Sequence, residues 1–205
     1  MTSPPARARS STACFEVVAI GASAGGVRAL TQLLAALPPT FSAALLIAQH
    51  LDPQRKSVLA PLLERRCPLR VREAEDGELL MGGIAYVSPP DRHLTVDHGR
   101  VALTRAPAVN FSRPSVDVLF ESVAHEYGKG VIGVILSGSG IDGARGLEAI
   151  KRGGGVTIVQ DPSGADHARM PRTAVLTGCV DVILPLDAIG AAIARLVLEG
   201  GRSPS

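Results

Sequence analysis

Short aliphatic runs separated by amphipathic stretches set the rhythm of this chain. Val17–Ala22, Ala44–Gln49, 131–136 and Val156–Gln160 are almost wholly apolar, the pattern of strands covered on both faces in a parallel sheet. Between them, 27–37, 55–66, 114–127, 143–152, 171–178 and Leu186–Leu198 carry the spacing of helices with one buried face. The weaker runs 69–73, 84–88, 93–96, Arg100–Thr104 and Val182–Leu184 complete the strands, and Asp97-His98-Gly99 marks a hairpin between two of them. The alternation predicts an open, doubly wound, mostly parallel α/β sheet, Rossmann-like, with an inserted antiparallel β-hairpin.

Composition narrows this picture without changing it. A chain of 205 residues, 46% of them apolar, can fill the core of one domain, and only 3% aromatics suits an aliphatic parallel sheet. A net charge of +2 gives no electrostatic case for nucleic acid, and the clusters Arg65-Arg66 and Arg70-x-Arg72 receive no role. Cys14, Cys67 and Cys179 have no metal-ligand spacing and form an odd number, which predicts a reducing compartment. No apolar run is long enough for membrane insertion and Met1 to Ser11 lacks a signal pattern, so a cytoplasmic protein is expected. The polar segments 1–14 and 200–205 are expected to be loose tails around a domain at 15–199.

The loop after the first predicted strand carries the sharpest chemical signal. Gly21-Ala22-Ser23-Ala24-Gly25-Gly26 brings a serine to a strand end among residues too small to cover it, where a helix start offers free N–H groups. The Gly21-x-Ser23-x-Gly25 spacing fits a nucleophile elbow; a phosphate-binding turn or a plain tight βα loop fits it equally well.

A nucleophilic serine needs a base and an acid on the same rim, and ligands in such sheets collect beyond the carboxyl ends of the strands. His50 directly follows the second strand, and His167 lies in the loop after Val156–Gln160, so both are candidates. His93, His98 and His125 read as packing or surface residues. Asp142 lies after the strongest aliphatic strand, in the loop Ser137-Gly138-Ser139-Gly140-Ile141-Asp142-Gly143. Its bland role is to cap the helix that follows; its catalytic role is to orient an imidazole.

Five segments together carry a family resemblance: Gly21 to Gly26, Gln49-His50, Arg113-Pro114-Ser115-Val116-Asp117, Ser137 to Gly143 and Met170-Pro171-Arg172. In this order they resemble the catalytic domain of CheB-type chemotaxis protein-glutamate methylesterases, over about residues 16–198. The resemblance implies Ser23 as nucleophile, His50 as general base and Asp142 as the residue that orients it, and so favours His50 over His167. It implies that γ-glutamyl methyl esters on chemoreceptor helices are hydrolysed without metal or organic cofactor, with deamidation of receptor glutamines as a related activity. Main-chain N–H groups at Ala24 and Ser139 are the expected oxyanion donors. Ala24 replaces a threonine common in the family, and Ser139 a frequent methionine. Family members commonly carry a phosphorylatable receiver before this domain; with about a dozen residues before the first strand, regulation in cis is not expected, and a stand-alone esterase, a shortened chain and a member of a signalling system with a separate regulator all fit.

Two other classes of function compete. A dinucleotide-binding module calls for Gly-x-Gly-x-x-Gly and an acidic end to the second strand, but Ser23 takes the middle glycine position and Gln49-His50 ends that strand. A non-catalytic signalling scaffold could retain the same fold.

Overall fold

The computed structural model describes residues 15–200. The tails expected at 1–14 and 200–205, Gly200 apart, lie outside the described residues, as does Cys14. The strands β1 (Val17–Ala22), β2 (Ala44–Gln49), β3 (Arg70–Glu73), β4 (Ile84–Val87), β7 (Val131–Ile135), β8 (Val156–Gln160) and β9 (Val182–Leu184) form one seven-stranded sheet. Its order is β3-β4-β2-β1-β7-β8-β9, and every pairing is parallel. The strands β5 (His93–Asp97) and β6 (Arg100–Thr104) make the separate antiparallel hairpin, closed opposite Asp97↔Arg100 by His98 and Gly99 with φ of 49° and 72°.

The period of two along each strand divides the core into two layers. Val18, Ile20, Leu45 and Ile47 face the layer filled by α1 (Gly26–Ala35), α2 (Leu59–Glu64) and α6 (Leu186–Leu198). Val17, Ala19, Leu46 and Ile135 face the opposite layer, filled by α3 (Val116–Tyr127), α4 (Ala144–Arg152), α5 (Arg169–Leu176) and Leu94, Val96 and Val101 of the hairpin. Helices on both faces explain why the central strands read as unbroken apolar runs.

One helix is much shorter than its pattern: α2 occupies Leu59–Glu64, against an expected 55–66. Pro61 has no N–H to donate to the carbonyl of Ser57, so it is tolerated only in the first turn and fixes the helix start just before it. The Ser57 hydroxyl instead accepts from Leu59 N at 3.1 Å. His93 is buried as a packing residue, accepting from Ser115 N through Nδ1 at 3.2 Å, with its Nε2 3.1 Å from the Pro107 carbonyl. Among the described residues, no helix is long and apolar enough to cross a membrane.

The sheet order places the reversal of winding beside β1. From β1 the chain adds β2 on one side, lays down β3 at the edge and fills the gap between them with β4, then returns to add β7 on the other side of β1. Loops leaving β1, β2 and β7 therefore open onto one crevice at their carboxyl ends.

Candidate active site

Ser23 follows β1, His50 follows β2, and Asp142 ends the loop that leaves β7. Main-chain bonds hold the three exits in register: Ser23 N donates to Ser137 O at 3.0 Å and His50 N to Ala22 O at 3.1 Å. Ser23 Oγ is 3.1 Å from His50 Nδ1, and His50 Nε2 is 2.8 Å from Asp142 Oδ2. A carboxylate can only accept, so the neutral ring carries its proton on Nε2 and presents the Nδ1 lone pair to the serine hydroxyl. The usual serine-protease arrangement uses the opposite nitrogens.

The serine loop differs from a strained elbow. The non-glycine residues with positive φ are Asp91, His98, Asn110 and Phe111 among the described residues, and Ser23 is not one of them. The left-handed residue is Gly25, with φ 75°, which caps α1 without a side-chain bond. A Cβ there would also lie 2.7 Å from Ser137 Oγ, so the small residue is needed twice over. Gln49 ties the loop to the next strand: its Nε2 donates to Ser23 O at 2.8 Å and to His50 O at 3.0 Å.

Asp142 does not cap the helix that follows it. Its carboxylate lies against the N-terminus of α3, where Oδ2 accepts from Val116 N at 2.7 Å and Oδ1 accepts from Ser115 Oγ at 2.8 Å and Asp117 N at 3.1 Å. Asn110 Nδ2 adds a longer contact to Oδ1 at 3.3 Å. Burial opposes charge on this carboxyl, but donors from His50, Val116, Ser115 and Asp117 outweigh it and hold its pKa below the ordinary value. The anion is therefore maintained beside the imidazole. The α4 terminus is capped instead by Asp117, whose Oδ1 accepts from Gly143 N at 2.9 Å and Gly146 N at 2.8 Å. Burial, with the charge of Asp142 adding to it, raises the Asp117 pKa.

His167 is elsewhere on the rim. Its Nδ1 is 3.3 Å from Ser139 Oγ, its main-chain N donates to Ser137 Oγ at 2.9 Å, and its carbonyl accepts from Gly138 N at 2.9 Å. The described contacts thus tie it to the loop of Ser139 and not to Ser23 or Asp142. Among the described residues, no main-chain carbonyl accepts from the N–H of Ala24 or Ser139.

Gln49, Asn110, Ser115 and Asp117 shape the site but received no role from the sequence. Ser115 has the signature of a helix cap, and its hydroxyl accepts from Val118 N at 3.4 Å. Asn110 has no local signal, because its partners Asp117 and Asp142 are brought to it by the fold.

Comparisons with known proteins supply the family. The family model described as CheB methylesterase matches residues 18–193. A relative from Leptospira interrogans, provisionally named protein-glutamate methylesterase/protein-glutamine glutaminase, is 40% identical over 183 residues, covering 89% of this chain and 95% of its own. The protein-glutamate methylesterase/protein-glutamine glutaminase 2 of Anaeromyxobacter dehalogenans is 44% identical over 192 residues, 94% of this chain. This chain spans only 55% of that longer protein. The crystal structure of the Thermotoga maritima CheB methylesterase catalytic domain superposes with a TM-score of 0.85 at 34% identity, covering 89% of this chain and 98% of that one. A chain matched over nearly its whole described length by family model, relatives and fold belongs to the CheB methylesterase family.

Proposed function

We propose that this protein hydrolyses γ-glutamyl methyl esters on chemoreceptor proteins, with Ser23 as nucleophile, His50 as general base and acid, and Asp142 as the group that holds the imidazole. The observation that carries the reading is the unbroken contact chain Ser23 Oγ, His50 Nδ1, His50 Nε2 and Asp142 Oδ2, with steps of 3.1 and 2.8 Å.

In the first half-reaction Nδ1 takes the hydroxyl proton as Oγ bonds to the ester carbonyl carbon, and the carbonyl electron pair moves onto oxygen. The N–H groups of Ala24 and Ser139 are the donors assigned to that oxyanion, each typically worth about 3–4 kcal/mol in such a role. Collapse of the intermediate breaks the carbon–methoxy bond, and the imidazolium passes its proton to the departing methoxide, so methanol leaves. Water then enters, gives a proton to Nδ1 and attacks the acyl-serine; the proton returns to Oγ as the glutamate is released. Asp142 keeps its charge throughout and offsets the imidazolium.

The names of the relatives support a second activity by the same acyl chemistry, in which ammonia leaves from a glutamine amide. A separate signalling regulator is retained as a proposed partner of this domain. The deciding experiment is methanol release from methylated receptor membranes. Catalytic release supports the esterase, while folded protein that binds receptor without releasing methanol supports the scaffold reading.

A further inference from the structure

Beside His50, the chain makes a tight turn that one of its two central residues does not favour. Val109 N donates to Ser112 O at 3.1 Å and Ser112 N to Val109 O at 2.9 Å, enclosing Asn110 and Phe111 with φ of 50° and 61°. Two consecutive positive φ values define the mirror-image two-residue turn, for which Asn-Gly is the preferred pair. The β5–β6 hairpin meets the same requirement with Gly99 in second place. Here a bulky side chain occupies that place, an unfavourable backbone state for such a residue.

The turn is fastened on both sides, so the backbone from which that side chain projects is held in place. Asn110 Nδ2 donates to Asp117 Oδ2 at 2.8 Å, and Arg113 Nε donates to Asp91 Oδ1 at 2.9 Å while its Nη1 reaches the carbonyls of Arg105 and Ala106 at 3.2 and 3.0 Å. Phe111 itself is fully exposed. It forms part of the wall of a cleft of about 250 Å³ shared with His50, Leu51, Pro53 and Ser112, and Ser112 Oγ is 3.5 Å from His50 Nδ1. A strained backbone holding an exposed aromatic ring in the cleft that contains the base is explained if the ring meets something that enters that cleft.

We infer that Phe111 is a docking residue for the protein substrate, receiving an apolar side chain that neighbours the esterified glutamate. This rests on the proposed esterase function. The short glutamyl side chain keeps the substrate's main chain close to the reacting carbonyl, so residues next to it must lie on this rim. Exposed Ile141, directly before Asp142, adds a second apolar side chain beside the acid. A rigid aromatic ring on a fastened turn loses little freedom on contact and gives a large apolar surface.

Phe111→Gly and Phe111→Leu test this on two esters, methylated receptor membranes and p-nitrophenyl acetate, with thermal melting measured alongside. Phe111→Gly creates the preferred turn pair and is expected to melt no lower than wild type. Its KM for methylated receptor should rise by about tenfold with kcat little changed, as for loss of a moderate hot-spot residue, while the small ester is hydrolysed as before. Phe111→Leu should recover most of the lost affinity. An unchanged receptor KM would overturn the inference, and so would equal losses on both esters, which place the effect in the catalytic groups. Wild-type protein that cleaves p-nitrophenyl acetate but releases no methanol from receptor would instead overturn the proposed substrate, and the inference with it.

Discussion

Asp142 and Asp117 exchange helix caps: the carboxylate of Asp142 receives the N–H groups that open α3, and Asp117, on α3, receives those of Gly143 and Gly146 at the start of α4. Asp142 thereby fixes the start of the helix that carries Asp117, and Asp117 fixes the end of the loop that carries Asp142. The orientation of the imidazole partner depends on a helix distant in sequence as well as on its own loop.

Removing Asp117 should therefore affect both stability and chemistry. Asp117→Ala leaves buried N–H groups without an acceptor and is expected to cost about 1–3 kcal/mol, partly offset by relief of its repulsion with Asp142. In denaturant unfolding and ester kinetics, the folded variant should lose more in kcat than in KM, because Asp142 is less well held. A stability loss with unchanged kcat would confine Asp117 to the scaffold.

The same pair gives opposite dependences on pH. The lowered pKa of Asp142 means that its stabilising contribution is present above the unfolded carboxylate pKa, about 3.9, and is lost as pH falls through the lower folded value. The raised pKa of Asp117 acts the other way: its contribution is full below the unfolded value and is lost as pH rises through the folded one. Melting temperatures of wild type and Asp142→Asn should accordingly converge as the solution is acidified through the carboxylate range. Curves that stay parallel would show that the Asp142 charge does not stabilise this fold.

The two rim histidines should separate cleanly by mutation. His50→Ala is expected to lose nearly as much turnover as a serine knockout, and the double variant with Ser23→Ala to be scarcely worse, because members of one catalytic unit are not additive. His167→Ala, which loses the side-chain contact to Ser139 Oγ and keeps the main-chain bond to Ser137 Oγ, should keep most of its kcat. The reverse ranking in folded proteins would reassign the base to His167.

Much of the fold is legible in the sequence because central strands advertise themselves. Val17–Ala22 and Ala44–Gln49 are readable to the residue, since burial on both faces demands unbroken aliphatic runs. The position of His50 at the end of such a run is enough to put it on the serine's rim. Helix ends are less legible, as α2 shows, where a single proline overrides a longer amphipathic pattern. The cap exchange is not legible at all: Asp142 has a local reason to cap α4, and only the packing of α3 across the β7 loop redirects it. Likewise, nothing in the spacing indicates that His50 presents Nδ1 to the serine, because ring orientation follows from where the carboxylate lies.

Attack by Ser23 on the ester is read out by methanol release from methylated receptor membranes with the folded Ser23→Ala variant. Alanine fits the small-residue turn, so the variant should melt close to wild type while turnover falls by roughly 10⁴- to 10⁶-fold, the scale seen when a triad member is removed. Methanol release near the wild-type rate from that folded variant would show that Ser23 is not the nucleophile.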